Sequence, residues 1–166
     1  MSEYTIEDLN ELDEASFVEL LGGIYENSPW VAEQTWPDRP FDSLDDLHER
    51  MRSAVREAPR TKQLALLRAH PDLGDRTEMT DTSEAEQASA GLDSLSPGQY
   101  ETFQRLNENY RERFGFPFIM AVRNESPDVI QTAMEDRIEN TEDGEFRTAL
   151  GQVHQIAQLR LEELLA

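Results

Sequence analysis

Histidine is the side chain in this sequence best suited to proton transfer near neutral pH. Of the three histidines, His48 and His154 fall inside helical patterns and are expected at the edges of helix faces. His70 differs because Pro71 follows it, and a residue before proline is disfavoured in an α-helix. A helix must therefore end at His70, whose ring could face a cavity. On position alone, catalysis competes with simple pairing of His70 with the dipole at the helix C-terminus.

A polar cluster follows at Ser83-Glu84-Ala85-Glu86-Gln87. Ser83 and Glu86 have the spacing of a capping box, in which each side chain bonds a backbone N–H at a helix start. From the residues alone we predict that structural role, with Ser83 as the N-cap. A helix N-terminus also attracts anions, so capping and ligand binding are compatible at this position.

Arg160 is a cation in an apolar position. At about 100° per residue it falls inside the stripe formed by Leu150, Val153 and Ala157 on the last helix. A buried charge needs a partner. That partner is either a structural carboxylate, of which the chain has many, or an anionic substrate held by the planar guanidinium fork. The residues leave both alternatives open.

The run Phe116-Pro117-Phe118-Ile119-Met120-Ala121-Val122 contains a proline and has no helical period, which predicts a buried, extended segment. Its composition is that of ordinary core. Extended backbone in a helical protein nevertheless has N–H groups that need acceptors, and a ligand could supply them. The chain has no Cys, and its histidines form no HExxH pair, so neither thiolate chemistry nor a metal site is favoured.

The elements that must position these residues are predicted to be helices from end to end. Eight helix starts are marked by a capping residue ahead of apolar residues at helical spacing: Asp13, Ser28, Ser43, Thr61, Ser83, Ser96, Ser126 and Thr141. Residues 71–82 form a polar loop, and Gly115 ends the helix that begins after Ser96. With no repeat or linker, we predict a single all-α domain of about eight helices over residues 1–166.

The charge balance is extreme, with 35 acidic and 15 basic residues in 166 and a net charge of -20. Such a chain repels phosphates and anionic lipid, so neither nucleic acid nor membrane is an expected partner. High acidity, a single lysine (Lys62) and a normal apolar fraction indicate a folded protein that works in high salt, where self-repulsion is screened. With no apolar run of membrane-spanning length and no signal-peptide pattern, we expect a cytoplasmic protein.

Six stretches, taken together and in order, resemble the OHCU decarboxylase family (2-oxo-4-hydroxy-4-carboxy-5-ureidoimidazoline decarboxylase). They are Leu20-Leu21-Gly22-Gly23-Ile24-Tyr25-Glu26-Asn27-Ser28-Pro29-Trp30, Ala69-His70-Pro71-Asp72-Leu73-Gly74, Ser83-x-x-Glu86-Gln87-x-x-Ala90-Gly91-Leu92, Leu106-Asn107-x-x-Tyr110, Phe114-Gly115-Phe116-Pro117-Phe118-Ile119 and Ile156-Ala157-Gln158-Leu159-Arg160-Leu161. Each stretch is weak by itself, whereas the ordered set is specific.

The resemblance implies an all-α homodimer that converts OHCU, an anionic small molecule, to (S)-allantoin in urate breakdown without a cofactor or metal. His70 matches the catalytic histidine, and Glu86 matches its acidic partner. The matched substrate-binding residues are Pro71, Ser83, Gln87, Phe118, Ile119 and Arg160. Two rival interpretations are a non-enzymatic acidic helical module that binds a partner, and a lyase or hydrolase of a related ureide.

Overall fold

The computed structural model describes residues 4–75 and 79–165. In this part of the chain it has nine α-helices and no β-strand, which confirms the all-α class and adds one helix to the expected number. The helices are α1 (Ile6–Asn10), α2 (Glu14–Leu21), α3 (Trp30–Thr35), α4 (Leu44–Glu57), α5 (Arg60–Arg68), α6 (Asp81–Ser89), α7 (Pro97–Phe114), α8 (Pro127–Arg137) and α9 (Glu142–Leu164). A 3-10 helix, Trp36–Asp38, follows α3. None of the described helices is both long and apolar enough to cross a membrane.

The chain groups into two compact units. The first comprises Met1–Ala69 and Val153–Ala166, and the second comprises His70–Gln152. The first unit buries Phe17, Phe41, Leu47, Met51 and Val55, among others; the second buries Phe103, Tyr110, Phe116, Phe118 and Ile130, among others. The single domain expected over residues 1–166 stays a prediction.

Most of the predicted helix starts are confirmed. The side chains of Asp13, Ser43, Ser96 and Ser126 each accept a hydrogen bond from the backbone N–H three residues on. At Thr141 the hydroxyl accepts from the N–H of Gly144, at 3.1 Å. These short polar side chains satisfy N–H groups that the first helical turn leaves without a carbonyl partner. Gly115 ends α7 with a φ of 79°, a left-handed conformation that glycine adopts without strain.

Two of the predicted starts are wrong because a neighbouring proline takes the N-cap position. Pro29, not Ser28, precedes the first residue of α3, and Pro59 precedes α5, so that Thr61 lies inside that helix. Proline tolerates these positions because its missing N–H has no intrahelical partner there. Helix α1 has no counterpart in the sequence prediction, since five residues are too few to show a helical period.

The two histidines outside the catalytic prediction lie in the first unit and contact each other. Nε2 of His48 bonds the backbone carbonyl of His154 at 2.9 Å, and the Tyr25 hydroxyl bonds His154 Nδ1 at 2.8 Å. Burial lowers the pKa of His154 to about 4 and also lowers the pKa of His48. Both rings are therefore neutral near pH 7 and act in packing, with His48 buried rather than at the edge of its helix.

Candidate active site

The predicted catalytic histidine lies where a helix gives way to a loop, as expected. Helix α5 ends at Arg68, and His70 is the first residue of the second unit, with only 9% of its surface exposed. Pro71 beside it is half-buried. Of the polar loop predicted over residues 71–82, residues 71–75 and 79–80 lie outside any helix, 76–78 lie outside the described residues, and 81–82 belong to α6. Gly74 has a φ of +76°, and a Cβ there would lie 2.9 Å from the Phe103 ring, so the loop requires glycine at this point.

Helix α7 holds this loop from one side. The Nδ2 group of Asn107 donates to the Leu73 carbonyl at 2.8 Å, and Arg111 forms an ion pair with Asp72. Asn107 is almost completely buried, so its bond to the loop is shielded from competing water. These contacts give the backbone after His70 a defined position without using the imidazole itself.

Helix α6 holds the same loop from another side, and its start corrects the predicted capping box. The N-cap is Thr80, whose hydroxyl accepts from the N–H of Ser83, so Ser83 lies in the first turn and does not cap the helix. Both Thr80 and Ser83 are good capping residues, and the helix begins at the earlier one. Since Ser83 is not the N-cap, a capping box does not explain the three-residue spacing of Ser83 and Glu86.

Gln87 connects α6 to the loop after His70. Its Oε1 accepts from the Gly74 N–H at 3.0 Å, and its Nε2 donates to the Asp72 carbonyl at 3.2 Å. Ser83 lies one helical turn before Gln87, and both side chains are buried on the same face. The face of α6 that carries Ser83 and Gln87 is thus directed at the loop that follows His70.

Glu86 on α6 is directed toward the end of the extended segment. Its Oε2 lies 3.8 Å from Nη2 of Arg123, and its side chain is 14% exposed. Close by, the Ser89 hydroxyl accepts from the N–H of Asn124 at 3.1 Å. The second unit therefore ties the segment after Val122 to the same helix that holds the histidine loop.

The segment predicted to be extended, residues 116–122, is non-helical and mostly buried, and three of its backbone N–H groups have no acceptor among the described residues. Residues 117–122 have no regular secondary structure, and Phe118 and Ile119 are buried. The N–H of Ala121 donates to Oε1 of Gln152 at 2.9 Å. Among the described residues, the N–H groups of Phe118, Ile119 and Met120 have no hydrogen-bond acceptor. Such groups are costly when buried, so a segment of this kind is suited to binding a polar ligand.

Arg160 belongs to the first unit and is buried there, as its stripe position predicts. Its Nη2 lies 3.0 Å from Oε2 of Glu26, and its Nη1 donates to the Gly23 carbonyl at 2.9 Å. Glu26 and Arg160 are 2% and 5% exposed. A structural carboxylate therefore partners the arginine, and two of its five N–H donors are used in these bonds.

Comparison with known proteins identifies the family. The family model described as OHCU decarboxylase matches residues 10–162. The chain is 65% identical over 163 residues to the 2-oxo-4-hydroxy-4-carboxy-5-ureidoimidazoline decarboxylase of Haloferax volcanii, covering 98% of this chain and 97% of that protein. The chain belongs to the OHCU decarboxylase family. The similarity to the Haloferax protein is consistent with the salt-adapted source that the acidic composition predicts.

Solved structures agree on the fold of this OHCU decarboxylase family member. An (S)-allantoin synthase crystal structure matches with a TM-score of 0.80 and 35% identity, over 97% of this chain and 54% of that longer chain. The chain thus spans about half of that protein. An OHCU decarboxylase crystallised in the presence of (S)-allantoin matches with a TM-score of 0.70 over 83% of this chain and 92% of that chain. At 22% identity, the second match supports the fold alone.

The second unit of this family member contains every predicted site residue except Arg160. The structure joins Gln87 to the loop after His70 and joins Glu86 to Arg123. Two residues with clear structural roles at these places were not singled out from the sequence: Glu26, the partner of Arg160, and Arg123. Glu26 had a usable signal, because it is the one charged residue of the matched family stretch from Leu20 to Trp30.

Proposed function

We propose that this protein decarboxylates OHCU to (S)-allantoin. The observation that carries the proposal is the near full-length, 65% identity to a protein named for this activity. The geometry supports it, because one compact unit contains a buried histidine, a helix face with Ser83 and Gln87, and backbone N–H groups that have no acceptor among residues 4–75 and 79–165. A non-enzymatic binding module would not need this combination.

The substrate itself provides the electron sink. The carboxylate of OHCU leaves a carbon that is adjacent to a ring C=N bond, so the imine accepts the electron pair released with CO2. The ring therefore takes the part that pyridoxal or thiamine cofactors take in other decarboxylases. The protein must orient the substrate, neutralise its charge and deliver a proton to one face of the ring.

His70 and Glu86 are the proposed acid–base pair. They would act at the hydroxyl and ring nitrogens of OHCU, and one of them would control the proton that sets the stereocentre. Arg160 is proposed to bind the substrate's negative charge, held in position by Glu26 and the Gly23 carbonyl. Pro71, Ser83, Gln87, Phe118 and Ile119 are proposed to contact substrate. Gln87 donates one Nε2–H to the Asp72 carbonyl, and its second Nε2–H is the proposed donor to the substrate.

Replacing Glu86 with glutamine tests whether its charge serves chemistry. Because Thr80 caps α6 and the 3.8 Å pairing with Arg123 is the contact that weakens, we expect Glu86→Gln to lower the free energy of unfolding by about 1 kcal/mol. Removing an acid–base group should lower kcat by about 100-fold or more. The measurements are thermal unfolding and the rate of OHCU loss, with the exposed Glu84→Gln on the same helix as control. A large fall in stability with kcat intact would assign Glu86 to folding instead.

The proposal extends to assembly and location. We propose a homodimer in the cytoplasm, supported by the resemblance of the six sequence stretches to the family. Analytical ultracentrifugation in high salt, which measures the molar mass in solution, tests whether the protein is a dimer. A monomer that is fully active would contradict the dimer without affecting the decarboxylase assignment.

The test of the reaction depends on stereochemistry, because OHCU decays spontaneously to racemic allantoin. OHCU would be generated freshly from urate with the upstream enzymes, and the circular dichroism of the allantoin followed in high salt. An enantiomeric excess of the S form that depends on this protein supports the decarboxylase. Racemic product without acceleration would refute it and favour the binding-module alternative.

A further inference from the structure

The extended segment of the second unit is held by an arginine outside the predicted site. Nη1 of Arg137, the last residue of α8, donates to the Ile119 carbonyl at 2.6 Å. The same guanidinium lies over the Phe118 ring, 4.4 Å from its centroid. Arg137 therefore contacts two of the three residues whose backbone N–H groups have no acceptor in the described part of the chain, Ile119 by a hydrogen bond and Phe118 by a cation–π contact.

A buried carboxylate fixes this arginine. Glu145 on α9 is 0% exposed, and it accepts from Nε of Arg137 at 2.6 Å, from the Tyr110 hydroxyl at 2.6 Å and from Nδ2 of Asn140 at 2.9 Å. Burial and the bond to Glu145 raise the pKa of Tyr110, so its hydroxyl stays protonated as a donor. The three donors compensate for the burial of the Glu145 charge, and the bond from Nε of Arg137 fixes the orientation of its guanidinium.

The bond to Ile119 has a geometric consequence for the next residue. In a trans peptide the C=O and N–H groups point in opposite directions. With the Ile119 carbonyl directed at Arg137, the N–H of Met120 points away from the arginine. That N–H is one of the donors with no acceptor among the described residues.

We propose that Arg137 is a positioning residue, which orients the Ile119–Met120 peptide so that the Met120 N–H bonds the substrate. Glu145 and Tyr110 act one step further away by fixing Arg137. The inference rests on the proposed function, since it gives these residues their effect through the binding of OHCU.

Four variants test the inference, with KM, kcat and the enantiomeric excess measured well below each melting temperature. In Arg137→Met the peptide loses its anchor, and KM should rise about 10-fold, with kcat/KM falling up to about 100-fold. The excess of (S)-allantoin should fall as well. Arg137→Lys keeps the charge beside Glu145, and so the fold, but cannot reproduce the fork, so its KM should rise less.

The double variant Arg137→Met/Glu145→Gln separates positioning from stability. It removes the unpaired buried charge, so its melting temperature should return toward that of the unmodified protein, while KM stays raised. Arg113→Met is the matched control, because Arg113 also bonds a backbone carbonyl, that of Asn140, and lies over a phenylalanine ring. Its KM should not change.

The outcomes separate this inference from the function on which it rests. If the unmodified protein produces an enantiomeric excess, but Arg137→Lys or the double variant keeps an unchanged KM and excess, Arg137 serves stability only and the inference is wrong. A loss in Arg113→Met equal to that in Arg137→Met would also overturn it. If the unmodified protein produces no excess, the proposed function fails and the inference fails with it.

Discussion

Replacing His70 with alanine should lower kcat/KM for OHCU by about 100- to 10,000-fold, the range for loss of a general acid or base. The allantoin that still forms should be close to racemic, because the spontaneous reaction then supplies most of the product. The fold should persist, since the bonds that hold the loop come from backbone groups of Asp72, Leu73 and Gly74 to Gln87 and Asn107. The imidazole contributes to none of these three bonds.

The measurement is the rate of formation of (S)-allantoin, followed by circular dichroism beside an uncatalysed blank. His48→Asn is the matched control, because His48 is a comparably buried histidine that bonds a backbone carbonyl in the first unit. It should lose stability and keep the stereochemical outcome. An unchanged rate of (S)-allantoin formation in His70→Ala would remove His70 from the mechanism.

The local features of the fold were predictable because their causes are local. The Ser96 hydroxyl caps α7 by accepting from the N–H of Gln99, three residues on, and this bond needs no distant partner. The end of α5 at Arg68 follows from the steric demand of Pro71 on the residue before it. The non-helical character of the run from Phe116 followed from a proline and the absence of a helical period. These physical effects act over a few residues and can be identified in the sequence itself.

The start of α6 was predicted wrongly because two local signals of similar strength compete there. Thr80 and Ser83 are both good N-caps, three residues apart, and the sequence contains nothing that decides between them. The structure begins α6 at the first, which moves Ser83 from a cap to a buried position in the first turn. The difference matters for function. As an N-cap, Ser83 would have a purely structural role for its hydroxyl, whereas in the first turn that hydroxyl can serve to bind a ligand.

Pairing over long distances in the sequence was not predictable. The stripe position of Arg160 shows that it is buried, but 35 acidic residues are candidates for its partner. Arg137 is harder still, because a basic residue in the last turn of a helix has the ordinary explanation of pairing with the helix dipole. Its bond to the Ile119 carbonyl depends on tertiary structure.

The partner found for Arg160 leads to the second large effect. Replacing Arg160 with methionine leaves Glu26, 2% exposed, as a buried charge without its cation. Breaking a buried ion pair from one side costs about 3–5 kcal/mol. We therefore expect a melting temperature lowered by about 6–20 °C, given about 2–4 °C per kcal/mol for a chain of this size. Arg147→Met, an exposed arginine on the same helix, should change stability by less than about 0.5 kcal/mol.

Stability alone does not test the proposed role of Arg160 in binding the carboxylate, so the variant is paired with Glu26→Gln. In Arg160→Met/Glu26→Gln no unpaired charge remains, and most of the lost stability should return. If Arg160 binds substrate, kcat/KM stays at least about 100-fold below that of the unmodified protein, because a charge-assisted, bidentate contact is lost. Glu26→Gln alone keeps the cation, and should lose less activity than either Arg160 variant. Recovery of activity together with stability in the double variant would mean that the Arg160–Glu26 pair is a structural bond, and that the substrate carboxylate binds elsewhere.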